Sequence, residues 1–96
     1  MIFELFFTEK ALKGIDRIKK SGNRKLLVKL EKLLDELEEH PYSGTGKPEL
    51  LKNNYAGLWS RRLNLEHRLI YSIDAQKVTV TLISAYGHYT EYVYPH

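Results

Sequence analysis

Leu26, Leu27, Leu30, Leu33, Leu34 and Leu37 recur at helical spacing with charged residues between them. A helix that is apolar on one side only must bury that side against another layer, so this stripe constrains the fold more than any other feature. A shorter stripe, Ala11, Leu12, Ile15 and Ile18, precedes it. Thr8 is placed to cap its start and Ser21-Gly22 to end it, glycine tolerating the left-handed exit. Asn23 can open the second helix, and His40-Pro41 closes it. Two such helices joined by a short turn form an antiparallel hairpin.

The rest of the chain supplies the other layer. Residues 2–7 are a short aromatic and aliphatic run that reads as a strand. Tyr42 to Gly57 holds Gly44, Gly46, Pro48, Asn53 and Asn54 with no apolar period, so it reads as a long loop with at most a short helical turn. Loops longer than about 12 residues are usually functional or disordered. Strand signals follow at Leu58–Leu63, His67–Ile73 and Val78–Ala85, where Val78, Val80 and Leu82 alternate with threonines. Short connections at Asn64–Glu66 and Asp74–Lys77 make these three an antiparallel meander. The expected fold is α+β in the order β-α-α-β-β-β, a small antiparallel sheet with an N-terminal helical hairpin on one face and the other face free.

Composition removes several classes. A hydrophobic share of 43% and a charged share of 28% are ordinary for a globular domain, and 96 residues suit one. No apolar run approaches the roughly 18 residues that span a bilayer. Residues 1–7 lack the basic start and small-residue cleavage site of a signal peptide, so a cytoplasmic protein is expected. The absence of cysteine excludes a disulfide scaffold and thiolate-held zinc. Net charge is only +3, but its placement is uneven. Residues 9–40 nearly neutralise themselves, whereas residues 41–72 carry five cations (Lys47, Lys52, Arg61, Arg62, Arg68) against Glu49 and Glu66.

Gly44-Thr45-Gly46-Lys47 suggests a phosphate loop and fails as one. Pro41 stands where the first glycine is required and Pro48 where Ser or Thr must follow the lysine. No two of His40, His67, His88 and His96 form a His-Glu-x-x-His pair, so no metal site is expected. A DNA-binding helix is not expected either, since the second helix carries Glu31, Asp35, Glu36, Glu38 and Glu39. Arg62 and Arg68 are less easily set aside. With Asn64–Glu66 as a three-residue hairpin loop, Arg62 faces Arg68, and like charges directly opposite destabilise a sheet. A bridging anion, or neutralisation by Glu49 or Glu66, would relieve the pair; splayed guanidiniums on a solvated face are the plainer alternative. With His88-Tyr89 near the last strand's end, the chain holds what RNA cleavage through the 2′-hydroxyl requires: a base, an acid, and cations for the phosphorane. The tail tyrosines Tyr86, Tyr89, Tyr92 and Tyr94 are candidates for stacking on unpaired bases, with edge or dimer packing the alternative for the last two.

Gly46-Lys47-Pro48-Glu49, Leu51-Lys52, Gly57, Trp59-Ser60-Arg61-Arg62, Glu66-His67-Arg68-Leu69-Ile70-Tyr71 and His88-Tyr89 together resemble YoeB-type toxins of the RelE-like superfamily, over nearly the whole of residues 1–96. The resemblance implies a ribosome-dependent mRNA endonuclease that needs no cofactor or metal and is held inactive by a cognate YefM/Phd-like antitoxin. The ribosome and mRNA are the other implied partners, and a homodimer is left open. By position, Glu49 is similar to the general base, His88 to the general acid, Arg68 to the transition-state stabiliser and Tyr89 to the residue that orients substrate. Lys47, Lys52, Arg61 and Arg62 form the implied phosphate-binding set. Which of Glu49 and His88 is the base stays open from the residues alone. Two departures stand out: Tyr86 occupies a position where relatives often carry a basic residue, and seven residues follow Tyr89. A toxin on the same scaffold that only occupies its target is the alternative, and the full set of Glu49, Arg68, His88 and Tyr89 favours the enzyme.

Overall fold

Both helix starts are capped as the sequence predicts. The Thr8 hydroxyl accepts from the backbone N–H of Ala11 and the Asn23 side chain from that of Leu26, each at 3.1 Å. These caps open α1 (Glu9–Lys20) and α2 (Arg24–Glu39), with Gly22 in the left-handed turn between them (φ 77°). In this computed structural model, which describes residues 2–77 and 79–85, the strands are β1 (Glu4–Phe7), β2 (Glu49–Leu50), β3 (Leu58–Arg62), β4 (Arg68–Asp74) and β5 (Thr79–Ser84).

The strands form one sheet in the order β1-β5-β4-β3-β2. The expected meander is present as β3-β4-β5, antiparallel throughout. The sheet as a whole is mixed, however, because β1 lies parallel to β5, Glu4 beside Thr79 and Phe7 beside Leu82. This pairing joins the two ends of the described chain, and local periodicity does not encode it. The long loop also contributes more than expected: it holds the two-residue edge strand β2, paired antiparallel to β3, and a single 3₁₀ turn at Asn53–Tyr55.

The core lies between the hairpin and one face of the sheet. Ala11, Ile15 and Ile18 of α1 and Leu26, Leu30, Leu33 and Leu37 of α2 are buried with Leu63, Leu69, Tyr71 and Ala85. Leu12, expected in the first stripe, is 53% exposed, and Gly14 is buried instead. Leu27 and Leu34 are half-buried at the margin of the core. The alternation expected of Val78, Val80 and Leu82 lies outside the described side chains.

Candidate functional site

Successive strand residues face opposite sides of the sheet. Trp59, Leu63, Leu69 and Tyr71 pack toward the helices, so Ser60, Arg62, Arg68 and Ile70 belong to the other face. The registers align them: Arg62 lies opposite Arg68, and Ser60 has Ile70 on one side and Glu49 on the other. The like-charge pair expected from the three-residue hairpin is therefore present. The loop that sets it is held by the Asn64 side chain, whose oxygen accepts from the backbone N–H groups of Glu66 (2.8 Å) and His67 (2.7 Å).

Glu49 reaches from β2 across β3, bringing its Oε1 to 4.0 Å from Nη1 of Arg68. Arg68 is largely enclosed (15% exposed) and Glu49 is 54% exposed. A contact of this length is an ion pair without a hydrogen bond, and exposed pairs are worth about 0–1 kcal/mol. An incoming phosphate can displace it. Arg62 is half-buried and borders, with Lys29 and Lys47, a groove of about 390 Å³ beside the exposed Leu65. Lys52 is exposed just ahead of the 3₁₀ turn. His88 and Tyr89, like Tyr86, Tyr92 and Tyr94, lie outside the described residues.

Arg61 departs from expectation. Read as a phosphate ligand, it is instead fully buried. Its Nη2 donates to the carbonyls of His40 (2.7 Å) and Ser43 (2.9 Å), and its Nη1 lies 3.4 Å from Oε1 of Glu36. The guanidinium also stands 5.8 Å from the centre of the Tyr71 ring, while the Tyr71 hydroxyl donates to the Pro41 carbonyl at 2.9 Å. Arg61 thus ties the end of α2 and the following loop to β3. This explains the glycine pair that failed as a phosphate loop. A Cβ at Gly46 (φ 87°) would meet the Arg62 carbonyl at 2.6 Å and Cγ of Arg61 at 2.7 Å, and one at Gly44 would collide with the Glu36 carboxylate. Those glycines admit a buried charge cluster, and the Arg62 N–H donates to the Gly46 carbonyl at 2.6 Å.

In the sequence Glu36 is one acid among several on a charged helix. Its Oε1 accepts from the backbone N–H of Thr45 at 2.7 Å. Burial pushes its carboxyl up, but the Thr45 N–H and hydroxyl, then the charges of Arg61 and Lys32, outweigh this and leave it below the usual 4.5. The folded state therefore gains stability from this group above the ordinary carboxylate range and loses it as pH falls through the depressed value. Wild type and Glu36→Gln, compared by urea unfolding, are expected to differ at neutral pH and to converge on acidification below 4.5. A gap that stays constant down that range would show that the Glu36 charge contributes nothing.

Among the described residues no three His, Asp or Glu side chains converge as metal ligands, and no helix is long and apolar enough to cross a membrane. What the fold and site define is a small α+β protein with a helical hairpin behind the sheet and an arginine pair faced by a carboxylate in front. Residues 7–89 match the family described as YoeB-like toxins of bacterial type II toxin–antitoxin systems, and the chain belongs to that family. It is 43% identical over 68 residues to the toxin YoeB of Synechocystis, covering 71% of this chain and 77% of that protein. A solved YoeB/ParE toxin from Agrobacterium tumefaciens superposes with a TM-score of 0.82 at 29% identity, covering 91% of this chain and all (100%) of the other. A YoeB–YefM complex from Staphylococcus aureus contains a chain similar at 32% identity and TM-score 0.76, covering 93% and 100%.

Proposed function

We propose that this toxin is a metal-independent endoribonuclease that cleaves mRNA in the ribosomal A site and so stops translation. The observation that carries the reading is the Glu49 carboxylate held against Arg68, with Arg62 directly opposite, on the sheet face away from the helices. Arg68 is enclosed enough to hold a fixed fork for two non-bridging phosphate oxygens, and Arg62, Lys47 and Lys52 guide the backbone toward it. Glu49 takes the 2′-hydroxyl proton as that oxygen attacks phosphorus, His88 protonates the departing 5′-oxygen, and Tyr89 orients the substrate. Every proton and charge in this scheme is handled by side chains. The ribosome contributes by presenting mRNA bent into the in-line geometry.

The partner follows from the same face. A YefM-like antitoxin, as in the Staphylococcus aureus complex, would cover Arg62 and Arg68 with carboxylates that stand in for phosphate. Such a pair works in the bacterial cytoplasm, where its target is.

The test is incubation of the purified protein with programmed ribosomes. Wild type is expected to cut the A-site codon, and His88→Ala to lose about 10²–10⁴-fold in rate while ribosome binding stays nearly intact. A short RNA cut equally well in excess chelator checks that no metal takes part. Ribosome occupancy by wild type without any cut would instead establish a toxin that acts by blocking its target.

A further inference from the structure

Ser60 is fully buried, and its hydroxyl has no hydrogen-bond partner among the described residues. An orphaned buried hydroxyl loses its hydration without compensation, a cost that alanine at the same position would avoid. Its location gives that hydroxyl a use. The register makes Ser60 the direct neighbour of Glu49 across β2 and β3, and Arg62, two residues further along, the neighbour of Arg68. The Glu49–Arg68 contact therefore passes over β3 beside Ser60. Directly opposed residues on one sheet face have Cβ atoms about 4.5–5.5 Å apart, so rotation of the Glu49 side chain alone can bring its carboxylate onto the serine hydroxyl.

We propose that Ser60 is a positioning residue for Glu49: when RNA phosphate occupies Arg68, the carboxylate turns from the arginine to accept the Ser60 O–H. The exchange follows from the charges. Phosphate satisfies the Arg68 fork and repels the adjacent carboxylate, and the 4.0 Å ion pair is too long to resist. The displaced carboxylate needs a donor, and the unpartnered hydroxyl next to it is one. One oxygen is then fixed by Ser60 and the other is directed at the 2′-hydroxyl.

This inference rests on the endoribonuclease reading, and its test separates the two. Ser60→Ala is expected to fold and to melt at or above the wild-type temperature, since it removes an unpaired buried group. On programmed ribosomes it should lower kcat about tenfold or more with KM unchanged, because a base that samples several orientations is lost from the transition state and not from binding. Ser60→Thr, which keeps the donor, should recover most of that loss. In crystals soaked with a 2′-O-methyl oligonucleotide, which cannot react, the wild-type Ser60 Oγ should lie within about 3.2 Å of the Glu49 carboxylate. Wild-type kcat in Ser60→Ala, a fall in kcat accompanied by a fall in melting temperature, or a bound complex in which Glu49 still points to Arg68 would each overturn the proposal. A short Ser60–Glu49 contact in a protein that cleaves no mRNA would overturn the endoribonuclease reading and leave the positioning role standing.

Discussion

Arg61→Ala is expected to lose about 3–5 kcal/mol of folding stability, the usual consequence of removing one member of a buried charge pair. The variant strands the Glu36 carboxylate and leaves the His40 and Ser43 carbonyls without their donor. Domains of this size hold about 5–15 kcal/mol in total, so much of the population should be unfolded at 37 °C. Urea unfolding followed by Trp59, the single tryptophan, measures it directly. Arg62→Ala, one residue along and on the other face, should change stability by less than about 1 kcal/mol. An Arg61→Ala protein as stable as wild type but weak for RNA would show that the guanidinium serves the substrate and not the fold.

The second large effect is on catalysis. Arg68→Lys is expected to be nearly as damaging as Arg68→Ala, each losing about 10²–10³-fold in single-turnover cleavage on programmed ribosomes. The guanidinium is held with only 15% of its surface exposed, so its plane and direction are set before substrate arrives. A lysine keeps the charge but offers a point donor on a flexible stem, and two phosphate oxygens cannot be held in one plane by it. Lysine that restored most of the rate would reduce Arg68 to general electrostatic attraction.

The legible parts of this fold are those set by neighbours in sequence. Thr8 and Asn23 mark their helix starts, and the three residues Asn64–Glu66 suffice to place Arg62 opposite Arg68. Other features are not legible in the sequence. The parallel pairing of β1 with β5 joins residues some three-quarters of the chain apart, and no local period reports it. Leu12 fits the helical stripe but meets solvent, while Gly14 on an adjacent line of α1 is buried. For Arg61 the position, and not the charge, carries the signal. The alternation Trp59, Arg61, Leu63 places it on the inward face, and Gly44 and Gly46 leave room for what it brings there. Charge marks Arg62 and Arg68 as one pair and leaves Glu49 or Glu66 to neutralise it, and the structure brings Glu49 to Arg68; Ser60 carries no signal in the sequence, because a serine in a strand gives none until its burial is known.

The position of β1 bears on how the chain is made. Translation delivers β1 first and β5 last, and β1 obtains its hydrogen-bonding neighbour only when residues 79–82 have emerged. The helical hairpin can collapse early, its contacts being local, but the sheet that carries Arg62 and Arg68 has all of its described strands only once β5 has been made. A nascent chain whose β5 is still inside the ribosome that is making it therefore lacks a completed sheet.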